Sequence, residues 1–356
     1  MPSVDARRCV KDMPWRTRDA VCIGAHSSRR FEVSLTCPRT ENRVKDSILT
    51  AKATSLTKAA IAHWLDTNSE QIADVLQSKP VVFPLIGGSL VEGTMTRGSD
   101  LDFCMMIDGD VRKENVDKLE PSFRHLISGL DGQLRQSGLS GVCRIARRIR
   151  YADQFLELHR CHESRAAVMR TGAKLNYLLS CRLLDIGGYD KESQVRIAIE
   201  PELLSLKERL YQSYRETLGY CSIPTTLPYL LKRPGGYNPR RVMEQVQLAI
   251  NNVLLCISGV DSISGPLNAK ISKVVDVTER EDIRTERVAT KHKMSRAIDL
   301  FRDLKLLAAM DRNAHGKSLH QLTSDGYISK KQLECIRDLT GYCLKLTSSL
   351  PGMVGS

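Results

Sequence analysis

Aromatic residues make up only 5% of this 356-residue chain, and its most arginine-rich stretch holds just Tyr151 and Phe155. A base-stacking platform for single-stranded RNA is therefore not evident, because such surfaces set aromatic rings along a cationic groove. The eleven cysteines include no Cys-x-x-Cys pair and are odd in number. That usage argues against a disulfide framework or a clustered zinc site; reduced thiols and a cytoplasmic location are expected. No apolar run is long enough to span a bilayer, so membrane insertion is not expected. A Gly-x-Ser-x-Gly elbow, a Walker loop and a protein-kinase signature are all missing, which sets those enzyme classes aside.

What the chain has is positive charge. Lys and Arg number 53 against 41 acids, a net +12 that favours polyanionic partners such as nucleotides, nucleic acid or an acidic protein surface. Between Arg144 and Arg170 there are seven arginines and three acids. The 42% apolar content is enough for real cores, and the length allows two domains or one domain with a helical extension. Residues 1–45 carry many arginines without hydrophobic periodicity, and a disordered tail is expected there.

The most informative segment is Val81–Asp108, VVFPLIGGSLVEGTMTRGSDLDFCMMID. Val81–Ile86 and Leu101–Ile107 read as two buried strands. Asp100 and Asp102 stand two apart, and on a strand such residues leave the same face. Two adjacent carboxylates repel unless a cation lies between them. A hard divalent ion, Mg²⁺ or Mn²⁺, suits oxygen ligands and typically brings nucleotide phosphates. Gly87 and Gly88 allow close backbone approach, and Ser89 adds a hydroxyl for phosphate oxygens.

Gly88-Ser89 followed by Asp100-x-Asp102 resembles the motif of the DNA polymerase β-like nucleotidyltransferases. The resemblance implies that Gly87, Gly88 and Ser89 contact the phosphates of a nucleoside triphosphate and that Asp100 and Asp102 are catalytic metal ligands. Arg97 and Ser99, beside the acid pair, are expected to join the nucleotide-binding set. A third carboxylate usually completes such a site from a neighbouring strand. The expected strand, Gly141–Arg150 (GVCRIARRIR), contains no acid, and the nearest candidates are Asp153 and Glu157. Glu157 is the expected third catalytic acid.

Farther on, LLSCRLLDIGGYD (Leu178–Asp190) and LKRPGGYNPRR (Leu231–Arg241) are similar to segments of the PII uridylyltransferases and related nucleotidyltransferases, with Arg182 and Pro234-Gly235-Gly236 matching best. That likeness implies a protein acceptor for the nucleotide, of uridylyl- or adenylyltransferase type. Two alternatives stay open. One is an RNA 3′-terminal nucleotidyltransferase of the uridylyl or poly(A) polymerase kind, and the other is a degenerate, non-catalytic nucleotide-binding protein.

The expected fold class is α+β: a polymerase β-like palm, a small mixed sheet with helices, followed by a helical domain. Expected helices are 47–76, 116–129, 164–184, 190–217, 239–258, 293–311 and 329–347. The expected division is a palm over 46–160, an associated helical domain over 161–258, and a C-terminal helical segment over 271–350, with the Gly- and Pro-bearing loop 259–270 between the last two.

Overall fold

The computed structural model describes residues 39–76, 81–109, 113–153, 174–186, 195–220, 232–278 and 284–354. The chain divides into residues 1–45 and a compact unit of residues 46–356, and the architecture below is that of the second.

Helix α1 (Arg39–Leu76) precedes strand β1 (Val81–Ile86), the short helix α2 (Gly88–Val91), and strands β2 (Asp100–Leu101) and β3 (Phe103–Asp108). Helix α3 (Lys113–Gln136), strand β4 (Gly141–Val142) and strand β5 (Arg150–Tyr151) follow. A helical stretch at 174–180 leads into β6 (Arg182–Leu183) and β7 (Arg196–Ile197). The remainder is helical: α4 (Glu200–Tyr220), α5 (Pro239–Ser258), α6 (Leu267–Thr278), α7 (Arg284–Met310), α8 (Leu319–Ser324) and α9 (Lys330–Val354). This is the α+β arrangement expected, a small mixed sheet with helices and then a mainly helical region.

The central pair is β1 against β3, antiparallel, with Leu85 opposite Cys104 and Ile86 opposite Phe103. On the outer edge of β3 lies β5, parallel to it. The other edge of β1 is shared end to end: β7 pairs parallel with Val81 and Val82, and β6 pairs antiparallel with Leu85 and Ile86. Alternation along β3 explains why Phe103–Ile107 is apolar throughout. Cys104 and Met106 face a core built with the C-terminal helices, whereas Phe103, Met105 and Ile107 face α1 and α3. A strand covered on both sides has no solvent face on which to place polar residues. On the α1–α3 side, Trp64 meets Phe123 edge to face at 5.3 Å and donates its indole N–H to Ser122 Oγ at 3.2 Å.

Two sequence expectations need correction. Leu101–Ile107 is not one strand: the pairing breaks at Asp102, and β2 joins β4 in a separate two-stranded parallel ladder. Nor is Gly141–Arg150 one strand, because a 3-10 turn over Arg144–Arg147 divides it. Helix α3 supplies the cause. Its Asp131 accepts the Val142 N–H at 2.7 Å and its Glu120 accepts the Ile149 N–H at 2.9 Å, so carboxylates take backbone donors that a strand partner would otherwise need. Within the helices expected over 164–184 and 190–217, residues 182–183 and 196–197 are strand, and residues 164–173 and 190–194 lie outside the described residues.

Helix α5 starts where local chemistry places it. Asn238 caps it by accepting the Arg241 N–H at 2.9 Å, and Pro239 occupies the first turn, where its missing N–H costs nothing. Its buried face runs through Val242, Val246, Ile250 and Val253. Across the loop expected over 259–270, Val260, Ile263 and Leu267 lie in the same core as that face.

Candidate active site

The ladder between β1 and β3 runs one bond past the strands, with Gly87 N–H donating to the Asp102 carbonyl at 2.9 Å. That bond sets the turn after β1 beside the acid pair. Behind Gly87 a Cβ would meet Cys181 Sγ at 2.7 Å and the Tyr177 ring at 2.9 Å. Gly88 adopts φ +53°, and a Cβ there would overlap the Asp102 carboxylate. One glycine thus clears Cys181 and Tyr177, and the next clears the carboxylate. Ser89 follows within α2, buried, and among the described residues nothing hydrogen-bonds its hydroxyl.

The two aspartates remain close although the strand breaks between them. Burial, and then the Asp100 charge, push the Asp102 carboxyl up to about 7, while Lys305, the Cys143 thiol and Arg240 work in the other direction. Arg240, in the first turn of α5, donates Nη2 to Asp100 Oδ2 at 3.3 Å and Nε to Glu244 Oε1 at 3.0 Å. Burial works against the Arg240 charge, but Asp100 and Glu244 outweigh it and raise its pKa. Lys305 on α7 is drawn downward by burial, and Asp100 and Asp102 partly offset that shift. Two carboxylates therefore face two cations brought from helices far along the chain.

This donor set suits a hard divalent cation. It offers carboxylate oxygens, and the space that a Gly88 side chain would fill is kept for the Asp102 carboxylate. Among the described residues no third acid, histidine or cysteine completes a cluster of ligands. Glu157 lies outside the described residues, and Asp153 is exposed.

The structure places the other sequence candidates at different positions. Ser99 is fully buried, and its Oγ accepts the Thr96 N–H at 3.0 Å, which closes the turn ahead of Asp100. Arg97 is exposed on that turn, beside Gly138. Gly87, Gly88, Ser89, Asp100 and Asp102 are brought together; Arg97 and Ser99 belong to the turn that carries Asp100.

Three participants escaped the motif reading. Arg240 lies in LKRPGGYNPRR, where the Asn-Pro start of a helix marks its two arginines as first-turn residues. Lys305 has no local signal, since its role depends on where α7 lies. Tyr177 likewise gives none; its buried hydroxyl has no hydrogen-bond partner among the described residues, and its ring backs Gly87.

The glycine turn and the acid pair lie in a segment that is similar to polymerase β-like nucleotidyltransferase domains. Residues 69–137 match the family model described as nucleotidyltransferase domain, a span running from the end of α1 through the glycine turn and acid pair to the end of α3. No curated protein sequence matches the chain.

Proposed function

We propose that the protein transfers a nucleoside monophosphate from a nucleoside triphosphate to a hydroxyl of a protein acceptor, with release of pyrophosphate. The observation that carries this reading is the convergence of the Gly88-Ser89 turn, the Asp100–Asp102 pair and the cations Arg240 and Lys305.

Asp100 and Asp102 would hold Mg²⁺ or Mn²⁺, which when bound polarises the phosphate and lowers the pKa of an attacking hydroxyl. The Ser89 hydroxyl and the backbone N–H groups of Gly88 and Ser89 hold phosphate oxygens in line, while Gly87, its own N–H engaged by Asp102, sets the turn. Arg240 and Lys305 offset negative charge on the triphosphate, a task that a site shielded from water makes more effective. The acceptor oxygen forms its bond to the α-phosphorus as the bond to pyrophosphate breaks, and the acceptor's proton passes to solvent. The protein acceptor rests on the likeness of Arg182 and the Pro234-Gly235-Gly236 turn to the uridylyltransferases. The net +12 charge is the specific feature that favours RNA instead.

The test incubates the purified protein with each α-labelled nucleoside triphosphate, Mg²⁺ or Mn²⁺, and either cell lysate or RNA. Label in protein bands is expected, with its loss in Asp100→Ala and Asp102→Ala. Label in extended RNA would replace the acceptor, and no transfer under any condition would leave a nucleotide-binding protein.

A further inference from the structure

Arg182, singled out in the sequence, does not join the acid pair. Its guanidinium donates to the Ser264 carbonyl at 3.3 Å and lies on the wall of a separate polar cavity of about 360 Å³. That volume is at the small end of ligand pockets. Glu200 at the start of α4, Asp261 in the 3-10 turn after α5, Ser264 and Lys207 complete its polar lining, and Leu203 and Leu204 add an apolar side.

Lys207 is the unusual member. It is only 5% exposed, yet its one hydrogen bond among the described residues is to Ser264 Oγ, at 2.5 Å. An ammonium has three donors, so two remain for whatever enters the cavity that it lines. A buried ammonium without an ion-pair partner is costly. Burial accordingly draws the Lys207 pKa down to about 8, against the upward pull of Cys181, Glu200 and Asp261. An incoming anion would relieve that cost.

A simple anion nonetheless fits poorly. The lining sets two cations, Arg182 and Lys207, against two carboxylates, Glu200 and Asp261, and the fields largely cancel. A molecule that carries both charges matches them. We propose that this cavity binds a small zwitterion of the amino-acid type, its carboxylate on Lys207 and Arg182 and its ammonium on Glu200 and Asp261. The site touches the glycine turn through one residue. Ser264 Oγ donates to the Cys181 carbonyl at 3.3 Å, while the Cys181 side chain backs Gly87. The proposal stands whether or not the acid pair transfers nucleotides.

Calorimetric titration of the full chain with each of the common L-amino acids tests it, with inorganic phosphate, acetate and methylamine as partial probes. Saturable one-to-one binding of at least one amino acid is expected, with no comparable binding of the partial probes. Lys207→Met and Asp261→Asn should each weaken it by about tenfold or more, while Mn²⁺-dependent nucleotide binding stays unchanged. Circular dichroism checks each variant, and if Lys207→Met does not fold, Asp261→Asn and Arg182→Gln decide. Failure of every amino acid to bind, binding indifferent to the variants that fold, or equal binding of phosphate would each overturn the proposal.

Discussion

At the scale of single residues, Gly88 carries the sharpest constraint. Its φ of +53° costs an L-residue roughly 1–2 kcal/mol, and the added methyl would also collide with the Asp102 carboxylate. Gly88→Ala is therefore expected to lower stability by more than that amount while removing the proposed nucleotide transfer, as a denaturant melt and a labelled-nucleotide assay would show together. The aspartates make a second prediction. Asp100→Ala or Asp102→Ala should weaken Mn²⁺-dependent nucleotide binding by more than the 10–100-fold typical of an outer-shell loss. Equilibrium dialysis with Mn²⁺ measures this directly. Thermal stability should hold in Asp102→Ala, which removes a buried repulsion, whereas Asp100→Ala also takes a partner from Arg240 and should lower it slightly.

At the scale of elements, β1, β3 and α5 were legible because their causes are local: apolar runs bounded by turn residues for the strands, and an Asn-Pro cap for the helix. The two-residue strands β6 and β7 were not, since so short a pairing exists only where β1 offers an edge. The acid-free stretch at 141–150 read as a strand because its apolar and basic residues alternate, yet α3 decided its path through Glu120 and Asp131. Burial raises the Asp131 pKa, but the Val142 N–H and Arg135 prevail and leave it lowered. A carboxylate more acidic in the folded state contributes fully above the ordinary carboxylate pKa, and its contribution fades as pH falls through the lowered value. Asp131→Asn should thus flatten the acid limb of a stability-versus-pH curve. Helix α5 gives a parallel case: Asn238→Ala should cost about 1 kcal/mol and loosen Arg240 two residues on, which a rise in the nucleotide dissociation constant would report.

At the scale of the whole molecule, the acid pair was legible and its counter-charges were not, because the latter come from tertiary placement rather than spacing. A buried ion pair ties the same regions together. Lys270 on α6 meets Glu92, the residue that ends α2, at 3.4 Å, with Gln247 of α5 also on Glu92 and Asn251 accepting from Lys270 at 3.0 Å. Burial raises the Glu92 pKa and lowers that of Lys270, in each case against the pull of the partner. Removing one charge strands the other, so Lys270→Met should destabilise by about 3–5 kcal/mol. Joining it with Glu92→Gln should recover much of that loss in urea unfolding. The position of Lys305 has a further consequence, for synthesis. The nucleotidyltransferase match ends at residue 137, whereas Arg240 and Lys305 emerge from the ribosome much later. A nascent chain therefore carries its acid pair long before it carries the cations that balance it, and the triphosphate binding proposed above waits for residues made well after the matched segment.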